Sequence, residues 1–71
     1  MSKKFYKILG KNIKDRRKLL GITQQQLADK LNLSLNFVGK IEVAYSKPAL
    51  DTLISIAEKL ETSVSELTKG C

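Results

Sequence analysis

Asn36 and Lys40 stand four residues apart in the stretch LNFVGKIE, with Leu35 and Gly39 beside them. On an α-helix, residues at that spacing share a face. An asparagine amide can pair bidentately with adenine N6 and N7, a lysine ammonium can reach guanine O6 and N7, and an apolar side chain can pack on the thymine methyl. This set therefore suits the reading of base edges in a duplex. The plainer reading is a solvated helix face with one stray leucine, which is common on protein surfaces. Other chemistries have less to work with. There is no histidine and a single cysteine, Cys71, so neither a metal site nor an internal disulfide is expected. No glycine-rich phosphate loop and no nucleophile–base pair is present, and the serines and threonines fall at helix caps or on helix surfaces. Neither enzymatic activity nor a cofactor is expected.

The charge points the same way. The chain has 71 residues and a net charge of +6. Residues 1–18 carry eight Lys/Arg against one Asp, whereas residues 51–71 carry two Lys against four acids. A basic half beside an acidic half suggests one face turned to a polyanion and another kept away from it. The length allows one domain, expected over 1–71, and the 42% hydrophobic content suits a small core. No apolar run reaches membrane-spanning length, and the basic start MSKKFYKILG lacks the apolar region and cleavage site of a signal peptide. With one cysteine, a reducing, cytoplasmic location is the simplest expectation.

The elements that must position Asn36 and Lys40 are helices. Phe5, Leu9, Ile13, Arg17 and Leu20 trace one stripe, which predicts a first helix from about Phe5 to Leu20 closed by Gly21. Thr23 and Gln26 form a T-x-x-Q capping box that opens a short second helix with Leu27, Ala28 and Leu31 inward. The segment LNLSLNF (Leu31–Phe37) alternates apolar and polar residues like a half-buried strand. No other segment alternates, however, and a lone strand has no partner. A tight turn accounts for the same residues. Asn32 takes the left-handed conformation, Leu33 plugs the core, and Ser34 caps a third helix whose inward face is Phe37, Val38 and Ile41. Downstream of Pro48, the residues Leu50, Leu53, Ile54, Ala57 and Leu60 trace a fourth helical stripe. Ser63-x-x-Glu66 reads as a second capping box, opening a short helix with Val64 and Leu67 inward.

ITQQQLADKLNLSLNFVGKIE, with KPALDTLISIAEKL downstream, resembles the phage-repressor and Cro type of helix-turn-helix regulator (XRE-like). The likeness covers about residues 8–67 in one ungapped pattern, which leaves 1–4 and 69–71 as expected loose ends. It rests on Thr23-Gln24, Leu27-Ala28, Leu31, Ser34, Val38, Ile41-Glu42, Pro48, Leu50, Thr52-Leu53 and Ile56-Ala57. It implies an all-α, compact five-helix, lambda-repressor-like fold whose second and third helices are the DNA-binding unit. Base reading is then expected from Ser34, Leu35, Asn36 and Lys40. Phosphate contacts are expected from Thr23 and Gln24 at the start of the second helix, and from Tyr45, Ser46 and Lys47 in the loop after the third. Helix N-termini offer free N–H groups to phosphate, and the loop residues supply hydroxyls and a charge. Gln25 reads equally well as a solvated glutamine. The resemblance also pairs Arg17 with Glu42 in an ion pair tying the first helix to the third.

The family usually has glycine where this chain has Asn32, Ala44 and Glu61. An alanine at a left-handed position is strained, so the third helix is expected to end differently and shift the Tyr45 loop. Leu35 replaces the polar residue most common at the first reading position, which bears on base preference. The resemblance and the small size imply a homodimer that sets two recognition helices about 34 Å apart on a near-palindromic site. Its interface is expected near Leu60, Val64 and Leu67. The resulting expectation is a DNA-binding transcriptional regulator, a dimeric repressor or controller, with double-stranded DNA as partner and no small-molecule ligand. The alternative is a protein-interaction module, antitoxin-like, with Leu35 docking a partner on the same scaffold. RNA is the weaker option, because there is no aromatic stacking platform.

Overall fold

The computed structural model describes residues 3–71. Five helices follow one another: α1 (Lys3–Leu19), α2 (Gln24–Leu31), α3 (Leu35–Glu42), α4 (Leu50–Lys59) and α5 (Val64–Leu67). The described residues include no strand, so the expected all-α, five-helix architecture stands. The Leu31–Phe37 alternation is a turn. Asn32 sits at φ 57°, ψ 41°, and the Phe37 amide donates to Ser34 Oγ at 3.1 Å at the start of α3.

Local rules set both ends of the helices. At α2 both capping-box bonds are present: the Gln26 amide donates to Thr23 Oγ1 at 3.0 Å, and the Thr23 amide donates to Gln26 Oε1 at 2.8 Å. At α5 the Glu66 amide donates to Ser63 Oγ at 3.1 Å. The C-terminal ends repeat one pattern, in which a left-handed residue and the residue after it both donate back into the last turn. Gly21 and Ile22 donate to Lys18 and Arg17, Asn32 and Leu33 to Asp29 and Ala28, Ala44 and Tyr45 to Ile41 and Lys40, and Glu61 and Thr62 to Glu58 and Ala57. Only the first of these left-handed residues is glycine; Asn32, Ala44 and Glu61 hold φ of 57°, 64° and 56°. The expectation that Ala44 would end the third helix differently is thus corrected. The bonds from Tyr45 and Ser46 to the Lys40 carbonyl, at 2.8 and 3.2 Å, hold Ala44 in the left-handed well.

The core gathers Leu9, Ile13, Leu27, Ala28, Val38, Ile41, Leu53, Ile56, Ala57, Leu60 and Leu67, flanked by half-buried Phe5, Leu20, Ile22, Leu31, Leu33, Phe37 and Val64. Two expectations change here. The fourth helical stripe is rotated: Ile56 points inward, while Leu50 and Ile54 are exposed. Leu60 and Leu67, expected at a dimer interface, are 0% and 2% exposed and are spent on the monomer's own core. Of that trio only Val64 reaches the surface.

The first helix also fastens the far end of the chain. Asn12 Nδ2 donates to the carbonyls of Leu67 and Lys69, and Arg16 donates through Nε and Nη2 to those of Leu60 and Glu61, all within 2.9 Å. These side chains satisfy carbonyls that the ends of α4 and α5 leave over, and a cation there is favourable to the helix dipole. Residues 69–71, expected to be loose, are thereby held, and Lys3 and Lys4 belong to α1. That expectation for residues 1 and 2 lies outside the described residues. Gly10 lets α1 approach α3 closely, since a β-carbon there would lie 2.5 Å from the Glu42 carbonyl oxygen and 2.6 Å from that of Ile41. No described helix is long and apolar enough to cross a membrane.

Candidate nucleic-acid interface

The ends of α2 and α3 converge on one shallow depression lined by Gln24, Leu35, Asn36, Gly39, Lys40, Val43 and Tyr45. Ser34 and Thr23 stand exposed at the starts of the two helices. Each hydroxyl oxygen already accepts a backbone amide, and each hydroxyl proton remains for an outside acceptor. Leu35 is 43% exposed, Asn36 is exposed and Lys40 is half-buried. The Lys40 ammonium lies over the Tyr45 ring, 5.7 Å from its centroid, and Tyr45 is 80% exposed. Lys47, one position before Pro48, is exposed with its ammonium 5.3 Å from the centroid of the Tyr6 ring. Cation–ring attraction of this kind ties the loop after α3 to α1. Ser46 is half-buried, with its amide directed at the Lys40 carbonyl.

Beneath this surface lies the ion pair. Arg17 Nε is 2.7 Å from Glu42 Oε2, Arg17 Nη2 is 3.2 Å from Glu42 Oε1, and Arg17 Nη1 donates to the Ile22 carbonyl at 2.8 Å. The two side chains are 8% and 1% exposed. Glu42 accepts a third bond from Gln24 Nε2 at 2.9 Å. Gln24, expected at phosphate, is therefore anchored from below and keeps one amide proton to offer outward. Gln25 instead bonds to Asp29 at 2.9 Å on the surface of α2.

The basic N-terminal segment is less free than its composition suggests. Arg17 is buried, Arg16 is bound to carbonyls and Lys11 pairs with Asp15 at 2.7 Å. Sequence reasoning missed Val43 at this surface and Tyr6 behind Lys47. Val43 follows Leu35 and Gly39 at successive intervals of four, a signal that the residues do carry.

Comparisons with known proteins bear on the family and the fold. Residues 13–67 match the family model described as Helix-turn-helix, HTH_3. The chain is 38% identical over 53 residues to the cryptic phage CTXphi transcriptional repressor RstR of Vibrio cholerae, covering 75% of this chain and 47% of that protein. It is 35% identical over 60 residues to the control protein C.SmaI of Serratia marcescens, covering 84% of this chain and 71% of the relative. The chain thus spans about half the length of RstR. In fold it is similar to the restriction-modification controller protein C.AhdI of Aeromonas hydrophila, with a TM-score of 0.84 at 24% identity over 87% of this chain and 94% of that one. With most of its length matched by the family model, and with a relative of this identity covered over more than two thirds, the chain belongs to the Helix-turn-helix family.

Proposed function

We propose that this chain is a sequence-specific, double-stranded-DNA-binding transcriptional regulator, acting as a dimeric repressor or controller on a near-palindromic operator with α3 in the major groove. One observation carries the reading. The outward side of α3 is open at Leu35 and Asn36, with Gly39 and Lys40 half-buried beside them, and it borders the start of α2. Ser34, Leu35, Asn36 and Lys40 face the bases in this reading. Thr23, Gln24, Tyr45, Ser46 and Lys47 hold phosphate on either side, so that position comes from the backbone and sequence from the groove. The likeness to RstR, a transcriptional repressor, and to C.SmaI, a control protein, supports the regulatory role. For the dimer, exposed apolar residues away from α3 include Leu19 at 73%, Leu50 at 68% and Ile54 at 45%, with half-buried Val64.

Selection of binding sites from random duplexes tests this. Asn36→Ala should relax preference at one base position by about 1–3 kcal/mol, while Lys47→Ala should weaken all sequences alike and lower the salt slope by about one. Wild-type behaviour of both variants on every duplex would remove the assignment. Docking of a protein partner is the second reading, favoured by Val43 at 71% and Tyr45 at 80% exposure on the same surface. A salt titration separates the two, because binding through several phosphates weakens steeply with salt and apolar docking does not.

A further inference from the structure

The outer side of α3 divides into two strips. Asn36 and Lys40 form a polar one; Leu35, Gly39 and Val43 form an apolar one beside it, all bordering the same depression. Gly39 is the unexplained member. A glycine inside a helix is unfavourable relative to alanine, and a glycine kept there usually serves close packing. Gly10 does so, because a β-carbon would strike two carbonyl oxygens of α3. At Gly39 a β-carbon would meet only the Gln24 amide at 3.8 Å, an ordinary contact, and the glycine's φ lies outside the left-handed range. The fold therefore gives no reason for the missing side chain. What it leaves is a bare notch between two exposed aliphatic side chains, rimmed by the amide groups of Gln24 and Asn36.

We infer that this notch, formed by Leu35, Gly39 and Val43, selects the C5-methyl group of thymine in the major groove. The inference rests on the DNA-reading function proposed above and adds what the apolar half of that surface is for. Thymine presents a methyl beside the O4 acceptor, and its adenine partner presents N6 and N7. A methyl seated against the helix backbone at Gly39 would be walled by Leu35 and Val43. Asn36 stands next to it on the polar strip for the adenine edge. A β-carbon at position 39 would occupy the seat.

The test uses the full chain and a duplex selected from a random pool. Each thymine of the half-site is replaced singly by deoxyuridine, which deletes only the methyl. One or two positions should lose roughly fourfold in affinity, the value of one buried methyl. That sensitivity should disappear in Leu35→Ala and in Gly39→Ala, with circular dichroism showing that both variants keep the helical fold. Deoxyuridine at every position binding as tightly as thymidine overturns the inference while leaving DNA reading intact. Methyl sensitivity that survives Gly39→Ala overturns the notch. If no duplex is preferred over any other, the proposed function falls and this inference with it.

Discussion

Replacing Arg17 by methionine strips a carboxylate of its bidentate partner inside the molecule. The Glu42 side chain is 1% exposed, so water cannot take the place of the guanidinium. Only the Gln24 amide remains on it, and the Ile22 carbonyl also loses its donor. Breaking a buried pair in this way costs about 3–5 kcal/mol. A domain of 71 residues has roughly 4–11 kcal/mol in total, so the variant sits close to the edge of unfolding in water. Glu42→Leu should be about as damaging, because it strands the arginine. The double replacement Arg17→Met with Glu42→Leu removes both charges and fills the space with apolar groups. It should fall within about 1–2 kcal/mol of wild type, which gives a coupling of about 3 kcal/mol or more. Urea unfolding followed by circular dichroism measures all four proteins. At a slope of about 1 kcal/mol per molar urea, the single variants lose about 3–5 M in midpoint, so a stabilised background keeps them measurable. Single costs under about 1 kcal/mol, or costs that simply add in the double variant, would refute the reasoning.

The stabilised background is itself a prediction. Ala44→Gly and Glu61→Gly relieve left-handed strain at two helix ends and should each add about 0.5–1 kcal/mol after the extra freedom of glycine in the unfolded chain is counted, seen as a rise of several degrees in thermal midpoint. Gly10→Ala forces a β-carbon against two backbone carbonyls that cannot rotate away, so it should cost about 2–3 kcal/mol by the same measurement. Ile54→Asp, on an exposed part of α4, should leave stability within about 0.5 kcal/mol of wild type and shift sedimentation of the proposed dimer toward monomer. An unchanged dimer would move the interface elsewhere.

What could be read in the residues follows the range of the interactions. Thr23 with Gln26, and Asn32 with Ser34, act within four positions of each other, so the turn and the start of α3 were legible in spite of the strand-like alternation. The Arg17–Glu42 pair spans 25 positions: the stripe of α1 marks Arg17 as a charge on an apolar face, and the resemblance supplies Glu42 as its partner. The face of α4 was misjudged for a different reason. Leu50, Leu53, Ile54, Ala57 and Leu60 satisfy helical spacing, and so do Leu53, Ile56, Ala57 and Leu60. The two stripes differ by a modest rotation about the helix axis, and only packing against α2 and α5 decides between them. Asn12 and Arg16 carry no local signal of their role, because their carbonyl partners lie 44 to 57 positions away.

Those last bonds bear on how the chain folds while it is being made. The clasp formed by Asn12 and Arg16 has nothing to grip until residues 60–69 have been made. At ordinary rates of synthesis that is about 3–10 s after Arg16 itself is joined. Over that interval the apolar stripe of α1 waits without Leu60 and Leu67. The nascent chain is therefore most open to chaperones and proteases before residues 60–69 arrive, and truncations that remove them should be cleared rather than accumulate half-folded.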